Sequence, residues 1–139
     1  VNDINAKFGT ELWQPIVIYS ENNYTQAVAG LKIYDVLLVN PVIDGMNLIA
    51  KEGPIVNGQN GTVILSETTG AFQELQDWVV GVSPMDIEGT MEAMYHALTL
   101  SDEERKLRSE GLTQHIKNRD ISNWLYDQIS DISVLISKS

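Results

Sequence analysis

The run Asp35-Val-Leu-Leu-Val-Asn40 is apolar at four consecutive positions and stops abruptly at Asn40-Pro41. A strand with one wet face alternates polar and apolar residues. An unbroken apolar run belongs instead to a strand covered on both faces, which is the habit of parallel sheets flanked by helices. Three more runs of strand character accompany it. "PIVIYS" (Pro15 to Ser20) is β-branched and entered through a proline, "TVILS" spans Thr62 to Ser66, and "WVVGVS" is closed by Pro84.

Helical periodicity fills the spaces between them. Tyr24, Ala27, Val28 and Leu31 fall at i, i+3, i+4 and i+7, one face of a helix. A helix is expected from about Asn47 to Val56, then a turn at "NGQNG", and a short helix at "GAFQEL". Asp86 caps a helix carrying Ile87, Met91, Met94, Tyr95 and Leu98, with Met91 and Met94 as gap-fillers in the core. Ser101 and Glu104 form a capping box for another helix. A stripe of Ile121, Trp124, Leu125, Ile129, Ile132 and Leu135 marks a last one, with Trp124 in the core or at an interdomain contact.

This alternation predicts an α/β fold, a Rossmann-like open parallel sheet with helices on both faces. Such sheets bind ligands beyond the carboxyl ends of their strands, where loops pass into helix N-termini. "NPVIDGMNLIAKEG", Asn40 to Gly53, sits at such an end. Gly45 lets a ligand approach the backbone. The N–H groups of Asn47, Leu48 and Ile49 are the first, unpaired donors of the next helix and favour an anion. Asp44 can accept hydrogen bonds from sugar hydroxyls, and Glu52, a little over two turns further on, can hold the hydroxyls of a ribose. Hydroxyls at both ends with a diphosphate between them outline a nucleotide sugar. The pattern also fits an ordinary acid-glycine turn with Asp44 as the helix cap and Glu52 solvated.

With a net charge of -10, the chain is a poor match for a nucleic acid or an anionic membrane surface. It has no cysteine, which excludes disulfides, thiolate metal sites and a cysteine nucleophile, and suits the cytoplasm. His96 and His115 lie on different expected helices without a ligand partner at i+4, so structural or surface roles and no metal are expected. Glu67 and Glu74 can be read as a carboxylate pair, with Glu74 better placed capping or packing near the site. "SDEERKLRSE" reads as a solvated helix face with i,i+4 pairs.

"DGMNLIAKE" resembles the donor-site motif of the trehalose-6-phosphate synthases, retaining glycosyltransferases of family 20 with the two-Rossmann-domain (GT-B) fold. "INAKFGTELWQPI", "ILSETTGAFQEL", "VSPMDIEGTMEAMYHALTL", "SDEERKLR" and "IKNRDISNWLYDQISDI" resemble further motifs of that family in the same order, so the likeness spans most of the chain. It implies that residues 1–139 are the C-terminal nucleotide-sugar-binding domain of a longer two-domain enzyme, as the start at Val1 without a methionine also suggests. On that likeness Asp44, the catalytic-site residue, accepts hydrogen bonds from the transferred glucose. Gly45, Met46 and Asn47 help hold its hydroxyls, the Leu48 and Ile49 amides meet the diphosphate, and Glu52 grips the ribose. Tyr24 falls near the family's base contact, where this chain has one residue fewer.

The implied activity moves glucose from a nucleoside-diphosphate glucose, the donor substrate, to a phosphorylated acceptor, with no cofactor. "AKEGPI" replaces the family's usual "AKEYVA", and Gly53-Pro54 is expected to disturb the helix after Glu52. The change keeps a related synthase or pseudoglycosyltransferase open, acting on glycerol phosphate or a cyclitol phosphate. A non-catalytic nucleotide-binding module is the other alternative. The family's diphosphate-neutralising Arg and Lys lie upstream of these residues, so the chain alone is expected to be inactive. An unpaired stripe on the last helix would favour homo-oligomers.

Overall fold

The computed structural model describes residues 1–119 and 121–137. Asp120, inside the "IKNRDISNWLYDQISDI" motif, lies outside them. Three parallel strands, β1 (Val36–Val39), β2 (Thr62–Ser66) and β3 (Val80–Val82), form a sheet in the order β1-β2-β3. Val36 pairs with Thr62 and Ile64 with Val80. Every residue of β2 is buried, as its unbroken apolar run requires of a central strand.

Helices cover both faces. On one, α3 (Ile49–Val56), α4 (Phe72–Leu75) and α6 (Asp102–Asn118) place Ala50, Leu75 and Leu112 against Val39, Val63 and Leu65. On the other, α5 (Ile87–Thr99) sets Ala93 and Ala97 against Ile64 and Val82. The helix α2 (Tyr24–Ile33), capped by Asn23 at the Gln26 N–H, packs beside α3. The helices α1 (Asn2–Phe8) and α7 (Ile121–Ser137) carry no buried residue.

The expected strand at Pro15 to Ser20 does not form. A strand exists only where a neighbour takes its backbone hydrogen bonds. Here the N–H and C=O of Ile16 are both taken by the Asn5 side chain, at 3.0 and 2.8 Å, and Val17, Ile18 and Tyr19 are exposed. The α1 helix that supplies Asn5 was not among the expected helices; it is seven residues long and buries none of them.

On α5 the expected apolar stripe points outward. Met91 and Met94 are 60% and 40% exposed, not core residues. Alanines one turn apart let the helix lie close on the sheet, and this places the larger side chains on its far side. Trp124 is likewise exposed rather than core. At α6 the capping box is half formed: the Glu104 N–H donates to Ser101 Oγ (3.2 Å), while the Glu104 carboxylate turns to Arg108 at 3.0 Å.

Gly53 and Pro54 do not break α3, which runs on to Val56. Both are buried, and a Cβ on Gly53 would stand 2.6 Å from Leu37 Cδ2. Glycine lets the helix sit against β1. The helix ends soon after at Asn57, whose side-chain amide donates to the Leu31 and Tyr34 carbonyls and accepts from the Gly61 N–H.

Candidate functional site

The loops that leave the carboxyl ends of all three strands are stitched together. From the β1 loop, Asn40 Nδ2 donates to the Pro84 carbonyl beyond β3 (3.5 Å). From the β2 loop, Thr68 Oγ1 donates to the Val42 carbonyl (2.6 Å), and the Gly70 N–H to the Asp44 carbonyl (3.0 Å). Thr68 Oγ1 is itself 2.7 Å from the hydroxyl of Ser66, at the end of β2. Bonds between residues this far apart in sequence join three separate loops into one rim above the sheet, the place where doubly wound folds bind ligands.

Within that rim Asp44 organises its own loop. Its Oδ1 accepts from the Met46 N–H (3.2 Å) and its Oδ2 from Asn47 Nδ2 (3.0 Å). It does not cap the helix. Asn47 does so, its Oδ1 accepting from the Ala50 N–H at 3.2 Å. The expected helix start at Asn47 is corrected as well: Asn47 has φ 69° and α3 begins at Ile49. Asparagine is one of the few residues that tolerate the left-handed region, where its short amide can bond locally.

The N–H groups of Asn47, Leu48 and Ile49 have no partner among the described residues. Leu48 and Ile49 are exposed, and a Cβ on Gly45 would meet nothing within 4 Å. Donors at the start of α3 are thus left without an internal partner, with the positive end of the helix dipole behind them. Residues 44–49 run from the β1 loop into the start of α3, and Glu52 follows on the next turn. Its side chain borders a mostly apolar cleft of about 290 Å³ between α2 and α3, shared with Tyr24, Val28 and Leu31.

Sequence reasoning did not foresee the charged cluster beside the first turn of α3. Lys51 Nζ is 2.7 Å from Glu74 Oε2, and His115 Nε2 is 3.6 Å from Glu74 Oε1. Glu74 packs near the 44–49 loop, as preferred from the sequence, and is not paired with Glu67, which is exposed. Residues 51, 74 and 115 lie on three helices far apart in the chain, and no local spacing marks them. No group able to hold a metal ion occurs among the described residues.

The family model of glycosyltransferase family 20 matches residues 1–134. The chain belongs to glycosyltransferase family 20. A bifunctional trehalose-6-phosphate synthase/phosphatase of Thermoproteus tenax is 37% identical over all of this chain, which covers 19% of that relative. The Escherichia coli protein solved bound with UDP-2-fluoro glucose matches with TM-score 0.81 and 33% identity, over 94% of this chain and 29% of its own. The UDP-forming α,α-trehalose-phosphate synthase of Burkholderia xenovorans, solved in complex with glucose-6-phosphate, matches with TM-score 0.81 and 32% identity, over 95% of this chain and 30% of its own. The chain spans less than a third of the length of each of these relatives, and its sheet is the α/β open sheet of family 20 structures. No helix of the described residues is long and apolar enough to cross a membrane.

Proposed function

We propose that this chain is the C-terminal donor-binding part of a retaining glycosyltransferase. The whole enzyme moves glucose from a nucleoside-diphosphate glucose to a sugar phosphate, as in trehalose-6-phosphate synthesis. The observation that carries this reading is the row of unpartnered amides at Asn47, Leu48 and Ile49, with Asp44 at one end and Glu52 at the other. Backbone donors at a helix start suit the diphosphate. The apolar cleft that Glu52 shares with Tyr24 suits the nucleoside, with Glu52 on the ribose hydroxyls.

In the proposed reaction the bond from the anomeric carbon to the diphosphate oxygen breaks, and a bond to the acceptor hydroxyl forms on the same face. The acceptor's proton passes to the departing phosphate. Asp44, already fixed by two donors, keeps an acceptor directed at the glucose. The reaction needs no cofactor and no metal from this chain. The negative charge developing on the leaving group calls for cations, because electrostatic stabilisation of developing charge usually lowers such barriers more than any other effect. Those cations are proposed to come from the rest of the enzyme, so the 139-residue chain alone binds donor without transferring glucose. The proposed cellular setting is the cytoplasm.

Titration calorimetry with UDP-, GDP- and ADP-glucose tests the reading. Wild type is expected to bind at least one of them, and Glu52→Ala to bind it about tenfold more weakly, the loss of one good hydrogen-bonded contact. Equal heats for the two proteins would remove Glu52 from the site. Homo-oligomers are proposed from the exposed apolar side chains of α7, and a monomeric mass by light scattering would exclude them.

A further inference from the structure

Among the described residues, the Lys51–Glu74 ion pair joins two different elements, and the other Lys and Arg pairs lie within α6. The Glu74 carboxylate reaches Lys51 on α3 with one oxygen and faces His115 on α6 with the other. All three side chains are about three-quarters buried, where a charge pair is held more firmly than on an open surface. The His115 ring packs in turn against Trp78, with centroids 4.5 Å apart and the ring planes tilted by 37°. Trp78 lies over Gly111, where a Cβ would stand 2.4 Å from its indole nitrogen.

Lys51 occupies a boundary. On one side it borders the cleft that holds Glu52 and Tyr24; on the other it borders a cleft of about 390 Å³ with Met46 and Gly70. Leu48, at the helix start, offers no side-chain cap, so the first turn of α3 is anchored by Asn47 at one end and Lys51 at the other. We propose that Glu74 is a positioning residue for the donor: through Lys51 it fixes the turn of α3 that presents Glu52, while the His115 ring, packed on Trp78, closes off the other side of its carboxylate. This rests on the donor-site reading above and adds a residue that itself touches no substrate.

The test is a double-mutant cycle on the 139-residue chain, read as UDP-glucose affinity by calorimetry. Glu74→Gln and Lys51→Met are each expected to weaken binding about tenfold, and the double variant to be no weaker than either alone, because both changes remove one link. The exchanged pair Lys51→Glu with Glu74→Lys is expected to recover part of the affinity, which a general loss of packing would not allow. Losses that multiply, or a Glu74→Gln protein that binds as well as wild type, would overturn the proposal. Hydrogen exchange supplies a readout that needs no donor. The Lys51 and Glu52 amides, both bonded to the Leu48 carbonyl, are expected to exchange about tenfold faster in Glu74→Gln while β2 amides keep their rates. Unchanged rates at those two amides would sink the positioning role. If wild type binds no sugar nucleotide, the donor-site reading fails, and the exchange result still decides whether Glu74 anchors the turn.

Discussion

Gly70 and Gly45 meet backbone against backbone: a Cβ on Gly70 would lie 2.0 Å from the Gly45 carbonyl oxygen. The Gly70 N–H bonds to the Asp44 carbonyl in the same contact. Gly70→Ala is therefore expected to push the 44–47 loop off the β2 loop. The stability cost is roughly 1–3 kcal/mol, typical of overpacking. Donor binding should fall with it, because the displaced atoms are those of the proposed site. A urea melt and a UDP-glucose titration on the same variant check both, and an unchanged midpoint would show that the loops part easily.

Asn47 joins an unusual backbone angle to two side-chain bonds, and two substitutions separate these contributions. Asn47→Gly keeps φ 69° accessible and removes the bonds to Asp44 and Ala50; Asn47→Ala removes the bonds and adds backbone strain. The expected order of stability is wild type, then glycine, then alanine. Losing the helix-capping bond costs about 1 kcal/mol, and holding alanine in the left-handed region about as much again. An alanine variant more stable than the glycine variant in chemical denaturation would contradict the strain argument.

Gly53 sets helix propensity against packing. Alanine would favour the helix by about 1 kcal/mol, yet its Cβ would press on Leu37 at 2.6 Å. Gly53→Ala is expected to destabilise the wild-type protein and to stabilise a Leu37→Ala background, where the obstructing methyl is gone. The reversal of sign between the two backgrounds is the measurement. The same direction in both would mean that Leu37 is not what opposes the alanine.

The Tyr34 hydroxyl is shut off from water and has no hydrogen-bond partner among the described residues. Burial pushes its phenol well above the ordinary tyrosine range. The folded state thus favours the neutral phenol, and ionisation in the unfolded chain draws the equilibrium towards unfolding. Stability from this group is complete below about pH 10 and is lost as the pH rises beyond it. Tyr34→Phe should match or exceed wild-type stability near neutral pH, since an unsatisfied hydroxyl is removed. It should also lose less stability in melts taken above pH 10. Parallel losses in the two proteins would assign the alkaline response elsewhere.

The strands β1 to β3 were legible because their runs are mostly apolar, and the caps Asp86 and Ser101 because they act locally. The passage from the end of β1 into the start of α3 was legible for the same reason, since a strand end, a glycine and a helix start occur within a dozen residues. What eluded the sequence depends on distant neighbours. Pro15 to Ser20 has strand composition and no neighbouring strand to pair with among the described residues. The outward face of α5 was decided by how closely Ala93 and Ala97 let the helix approach the sheet. Lys51, Glu74 and His115 converge only after three helices have packed.

The sheet runs β1-β2-β3 in chain order, so the strand whose loop bears Asp44 stands at its border. Among the described residues, no strand takes its outer row of amides and carbonyls, which can accept another parallel ribbon. A parallel ribbon added there would carry its own carboxyl-end loop up beside the one that bears Asp44, so the β1 border sets which second loop can become its neighbour.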